Sequence, residues 1–193
     1  SGAEARMYDS LFVLKCPCKN DRWKVGNTLP AWKYSIRQIS ARKNMNKMTN
    51  EELKKMRPSE LRRLVRNNSF KNQTGGSCRG FVQANIVILP TDYVEDFERY
   101  CQLNPKPCPL LDMGKPGNPK LPKLGSDIDI RMDVPAFNIF EDGKLVNTVF
   151  DIREYWQDDF VTFALGCSYS FEEALEDAGL EVRHNRHGLV SPM

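Results

Sequence analysis

Histidine is scarce in this chain, with only His184 and His187 among 193 residues. Cysteine is little commoner at six, too thin a supply for a scaffold built on disulfides. The one close pair, Cys16-Pro17-Cys18, is separated by a single residue, whereas zinc sites use pairs roughly two to four residues apart with histidine at hand. A metal site is therefore not expected, and reduced thiols in an intracellular compartment are the simpler inference. Long apolar runs are missing too. Ile86-Val87-Ile88-Leu89 is far short of the roughly 20 apolar residues that cross a bilayer, so no membrane partner is expected.

Acidic residues are unevenly absent: none occurs from Trp23 to Asn50. Residues 1 to 80 hold 18 Lys/Arg against 6 Asp/Glu, a balance of +12, and residues 81 to 193 hold 10 against 19, a balance of −9, which together make the net +3. Such a basic end could meet nucleic acid. Yet no RNP, zinc-finger or helix-turn-helix spacing with interleaved aromatics accompanies it, so nucleic acid is not expected as a partner. The composition also fits a mitochondrial import segment, although the stretch is internal. A basic, poorly ordered N-terminal arm over 1–48 is the expectation, followed by one α/β domain over 49–193.

Thr49-Asn50-Glu51-Glu52 has the form of a capping box. Pro58-Ser59-Glu60 restarts a helix that turns Leu61, Leu64 and Val65 inward and Arg62, Arg63 and Arg66 outward, onto a solvated face. Asn72 to Gly80 reads as a loop. Phe81 to Leu89 is apolar enough for a strand covered on both faces, and Thr91 can cap a helix with Val94, Phe97, Tyr100 and Cys101 on one side. Residues 104–125 hold six of the twelve prolines and read as an extended connection.

Ile128, Ile130, Met132 and Val134 alternate with charged residues, as in a strand with one wet face. Asp142-Gly143 between two apolar stretches marks a hairpin. These pieces predict a small antiparallel insertion over about 126–150. A helix from about Asp151 is expected to turn Trp156, Phe160 and Phe163 inward and to break at Gly166, a glycine with no evident packing purpose. Ser170-Phe171-Glu172-Glu173 has the form of a second capping box, opening a helix that ends at Gly179. The fold class is thus α/β, with a mixed sheet, packed helices and a small antiparallel β subdomain.

Four stretches in register resemble the D-glutamate cyclase family, whose members are also called putative hydro-lyases. They are Gly80-Phe81-Val82-Gln83-Ala84-Asn85 with Ile88-Leu89-Pro90; Asn104-Pro105-Lys106-Pro107-Cys108-Pro109-Leu110-Leu111; Gly166-Cys167-Ser168-Tyr169-Ser170-Phe171-Glu172-Glu173-Ala174-Leu175; and Ala178-Gly179-Leu180 with Val182-Arg183-His184. The likeness covers roughly residues 58 to 193 and corresponds to the N-terminal and central part of such proteins, which continue beyond the Pro-Met pair matching Pro192-Met193. It implies an enzyme interconverting D-glutamate and 5-oxo-D-proline with loss or gain of water, without metal or organic cofactor. Vertebrate members reside in mitochondria, so the matrix is the expected location and the cytoplasm the alternative.

Cyclising glutamate requires a neutral amine attacking the γ-carboxyl carbon, donors for the developing oxyanion and an acid to release water. Cys167 and Ser168, in a turn before a helix, could supply backbone donors, a thiol and a hydroxyl at a positive helix end. His184 suits proton transfer. These three are the catalytic candidates. Gln83 and Asn85 are amides in an apolar strand and need partners, either a substrate carboxylate or a backbone carbonyl of the neighbouring loop. Lys106 in its proline-fixed loop and Arg183 complete the candidate binding set for a small amino acid or cyclic amide. A non-catalytic binding domain and a Cys167-dependent amidase are the alternatives, and homo-oligomerisation is left open.

Overall fold

The computed structural model describes residues 48–183 together with the backbone of a short strand at 12–15. At its start Thr49 caps helix α1 (Asn50–Lys55): the Glu52 amide donates to Thr49 Oγ1 at 3.3 Å and the Thr49 amide to Glu52 Oε2 at 2.7 Å. The expected capping box is present. Proline opens helix α2 (Pro58–Arg66), where its missing N–H costs nothing. Leu61 and Val65, one turn apart, pack with Phe70 and Cys78 into a small apolar cluster.

Six strands form one mixed sheet: β1 (Phe12–Lys15), β2 (Ala84–Pro90), β3 (Leu110–Met113), β4 (Phe137–Glu141), β5 (Lys144–Val149) and β6 (Phe160–Gly166), in the order β3-β6-β2-β1-β4-β5. β1 runs parallel to both β2 and β4, and the other pairings are antiparallel. This strand falls inside the 1–48 arm, so the sheet includes a piece of chain that precedes Thr49. The rest of that arm lies outside the described residues.

β2 and β6 pair over seven residues and are each buried at five of them. One face, from Ile86, Ile88, Phe160 and Ala164, meets Leu121, Ile128, Ile130, Phe137, Ile139 and Ile152. The opposite face, from Val87, Leu89, Val161 and Phe163, meets Val94 and Phe97. Both of those belong to helix α3 (Val94–Leu103), which follows a 3-10 turn at Thr91–Tyr93. Phe97 stands edge-on to Phe163 with ring centroids 4.9 Å apart. Tyr100, expected on the inner face of that helix, is exposed, and Thr91 makes no side-chain cap.

Several sequence expectations are corrected. No helix begins at Asp151; turns lead instead into β6. Phe160 and Phe163 fit a helical stripe, but in the strand they point to opposite faces, each into a different half of the core. A strand covered on both faces has no alternation to distinguish it. The strand expected at 128–134 is a series of turns, because its carboxylates bond locally: Asp133 accepts from the Asp129 amide and Asp129 from the Arg131 amide. β2 begins at Ala84, leaving Phe81 and Val82 exposed. The Asp142-Gly143 hairpin forms as expected, with φ of 51° and 73°, and joins β4 to β5 at the sheet edge.

Arg62 and Arg66 do not lie on a solvated face. Arg66 grips the buried Asp133 carboxylate with Nε and Nη2, the latter at 2.7 Å from Oδ2, and its Nη2 also reaches the Asp127 carbonyl at 2.6 Å. Arg62 bonds Asp127 through Nη2. These ties fasten α2 to the turns that cover one face of the sheet. Removing one partner of a buried pair leaves a charge uncompensated. Arg66→Met is expected to lower stability by about 2–4 kcal/mol, and the exposed Arg63→Met by no more than about 0.5 kcal/mol, measured as urea midpoints.

Hydrogen bonds from Arg62 and Arg131 hold the Asp127 and Asp129 carboxyls below the usual carboxylate range. The folded protein therefore binds fewer protons there than the unfolded chain. The stabilisation is complete above the ordinary carboxyl value of about 4 and is lost as pH falls through the lowered folded values. Urea midpoints should drop between about pH 5 and about pH 2, and the drop should be shallower in Arg131→Met.

Candidate active site

Antiparallel pairing sets Ala84 opposite Gly166 and Asn85 opposite Leu165. The entry to β2 and the exit from β6 thus meet at one end of the sheet, bringing Gln83 and Asn85 beside Cys167. Ser170 fastens this junction from both sides, since its hydroxyl accepts from the Gln83 amide at 2.9 Å and donates to the Gln83 carbonyl at 3.1 Å. That use of Ser170 replaces the expected capping box. The N-cap of helix α4 (Tyr169–Asp177) is Ser168.

The loop before β2 closes over the same end. Its Gly75 sits under the Tyr169 ring so closely that a Cβ would lie 2.6 Å from Tyr169 Cζ. Any larger residue there would require the Tyr169 ring to shift. Between this loop, α2 and the end of the sheet lies a cavity of about 530 Å³. Gln83, Asn85, Cys167 and Tyr169 line it, together with Arg62 and the edge of Asp133.

Of the seven residues picked from sequence, Gln83, Asn85 and Cys167 converge on this cavity. The Gln83 side chain donates from Nε2 to the Ser77 carbonyl at 2.8 Å, so one of its donors serves the neighbouring loop. Ser168 turns elsewhere: its hydroxyl donates to Oε1 of the buried Glu172 at 2.8 Å. That carboxylate occupies the first turn of α4, so negative charge already faces the helix end expected to receive an anion. Lys106 and Arg183 are exposed and do not line the cavity. His184 lies outside the described residues.

Gly166 has a packing purpose after all. Its amide donates to the Pro109 carbonyl at 2.8 Å, and a Cβ there would stand 3.1 Å from Pro109 Cγ. Pro109 thus supports β6, and Lys106 in the same loop does not line the cavity. Helix α4 ends as expected, with Gly179 at φ 78° and the Leu180 amide closing onto the Leu175 carbonyl at 2.9 Å.

Tyr169, Arg62 and Asp133 were not singled out from sequence. Tyr169 adjoins the Gly166-Cys167-Ser168 turn, and an aromatic beside such a turn was the available signal. Asp133 sits in an alternating pattern that placed it on the wet side. Nothing local distinguishes Arg62 from Arg63.

The mixed α/β fold carries, at one strand end, a cavity whose largely apolar lining includes a few polar and charged groups, the form that small-molecule sites commonly take. The sequence matches the description D-glutamate cyclase over residues 161–193. A protein named "Putative hydro-lyase" from Paraburkholderia phymatum is 51% identical over 138 residues, which cover 72% of this chain and 54% of that protein. The same name is borne by a Dinoroseobacter shibae protein, 50% identical over 135 residues, covering 70% of this chain and 45% of that protein. The chain spans about half the length of the curated relatives it matches. The chain is thus similar to D-glutamate cyclase over residues 161–193 and to proteins named putative hydro-lyases over about 70% of its length.

Ser168→Ala removes the hydroxyl donor to a buried carboxylate and is expected to cost about 1–3 kcal/mol of stability. Lys106→Ala, on an exposed turn, should stay within about 0.5 kcal/mol of the parent. Denaturant midpoints of the two variants separate these outcomes.

Proposed function

We propose that this chain carries the substrate site of a hydro-lyase that interconverts D-glutamate and 5-oxo-D-proline. The likeness to D-glutamate cyclase and to the putative hydro-lyases supports the reaction type. The observation that carries the reading to this site is the cavity, where residues from two of the family-like stretches meet on a wall of mixed charge. Its charged lining comprises Arg62, Lys71, Lys123 and Asp133, an excess of cations suited to an acid. The amides of Gln83 and Asn85 add neutral polar groups for a lactam or a carboxyl oxygen.

In the forward direction the substrate nitrogen, in its neutral form, forms a bond to the γ-carboxyl carbon. One carboxyl oxygen leaves as water after taking up protons, and the product keeps the second oxygen as the lactam carbonyl. The cavity wall holds the two ends of a five-carbon acid close together, which lowers the entropic part of the barrier. Cys167 lies on that wall with the two amides, whereas the Ser168 hydroxyl is bonded to Glu172. Its thiol and the amides are placed to donate to oxygen as charge builds there.

The acid-free basic stretch from Trp23 to Asn50 supports a mitochondrial location for this activity.

The experiment is incubation of the chain with D-glutamate or with 5-oxo-D-proline, followed by chiral chromatography. Interconversion is expected, and Cys167→Ala should slow it by roughly 10²-fold, the scale of losing one oxyanion donor, with the urea midpoint little changed. Absence of interconversion in both directions would contradict the reading.

A further inference from the structure

We propose that Arg62 is the carboxylate-binding residue of the cavity, held ready by Asp127. The inference rests on the proposed function only for the identity of the acid. Its starting point is how the four charges nearest the α2 wall are shared. Asp133 is almost fully buried, with its side chain 2% exposed, and both its oxygens are engaged by Arg66, with the Asp129 amide adding a third bond at 2.8 Å. Arg66 in turn spends Nε and Nη2 on Asp133 and Nη2 again on the Asp127 carbonyl. That pair is closed.

Arg62 is differently placed. Among the described residues only its Nη2 makes a hydrogen bond, to Asp127 Oδ1. Its Nε stands 3.8 Å from Asp133 Oδ2, an ion pair without a hydrogen bond, and that buried Nε has no hydrogen-bond partner. The side chain is 17% exposed and lies on the cavity wall. Asp127, its one hydrogen-bonded partner, is 45% exposed and so screened by solvent. The guanidinium is thus anchored at one corner, mostly desolvated and short of acceptors.

The other cations of the lining suit the role less well. Lys71 lies over the Phe150 ring at 4.3 Å. Lys123 is 76% exposed, with Nζ 3.7 Å from Asp112. An arginine offers a planar fork that matches two carboxylate oxygens, and the match strengthens out of bulk water. Asp127 fixes one nitrogen and thereby the plane of the fork. Arg62 accordingly selects an acid over the corresponding amide.

Isothermal titration calorimetry tests this with glutarate, a five-carbon diacid without an amine, and with glutaramide, its neutral diamide. The chain should bind glutarate more tightly than glutaramide. Arg62→Met should weaken glutarate binding at least tenfold while changing glutaramide affinity less than about threefold, because a charged hydrogen bond is lost only with the acid. Arg62→Lys, which keeps the charge beside Asp127, should fall between, and Arg63→Met on the exposed side of α2 should match the parent. The acid-to-amide ratio is read within each folded variant, so a general loss of packing cannot imitate the effect.

An unchanged ratio in Arg62→Met, or in Arg62→Lys if the methionine variant does not fold, overturns the assignment. So does a parent chain that fails to bind glutarate. Glutarate binding that depends on Arg62 without turnover of D-glutamate would uphold this inference and count against the proposed reaction. Turnover with glutarate affinity indifferent to Arg62 would do the reverse.

Discussion

The antiparallel pairing of β2 with β6 is the constraint on which the rest of the structure depends. Its seven-residue register determines which side chains enter each half of the core and which chain ends meet. A one-residue slip of β2 against β6 would carry Ile86 and Ile88 to the face of Val161 and Phe163, and Val87 and Leu89 to the face of Phe160 and Ala164, disrupting both apolar clusters. The same register places Gln83 beside the exit of β6. The candidate site is therefore a consequence of core packing: two stretches far apart in sequence become neighbours because their strands are.

The two faces of the central strands are covered by different means. Helix α3 covers one, with Phe97 set edge-on to Phe163. Turns between Gly114 and Asp133 cover much of the other, and turns have backbone groups to satisfy. Here carboxylates do much of that work. Asp112 accepts from the Lys123 amide at 3.3 Å, and Asp133 accepts from the Asp129 amide while Arg66 neutralises it. The arginines of α2 consequently serve both the fold and the cavity wall, which is why charge lies so close to the candidate site.

Elements specified by neighbouring residues were legible in the sequence. The Thr49-Glu52 capping box, the restart at Pro58, the Asp142-Gly143 turn and the Gly179 cap each depend on a few adjacent side chains and backbone angles. Elements defined by distant partners were not. Phe160 and Phe163 suggest a helix until both faces of β6 are seen to be covered, and Ser170 suggests a cap until its hydroxyl is seen to fasten Gln83. For the site, Gln83 and Asn85, picked as polar residues in an apolar stretch, both line the cavity. Ser168 was picked on residue type, and the partner that its hydroxyl takes, Glu172, becomes visible only in the folded helix; Lys106 is exposed and does not line the cavity.

The central claim is that the cavity at the joined ends of β2 and β6 receives the substrate. Amide chemical-shift mapping of the nitrogen-15-labelled chain during titration with 5-oxo-D-proline tests it directly. The account predicts saturable shifts concentrated at Ser77, Gln83, Asn85, Cys167 and Tyr169. Saturable shifts centred instead on Lys106 and Cys108, or on the outer side of α4 around Leu175, with the cavity residues still, would contradict it.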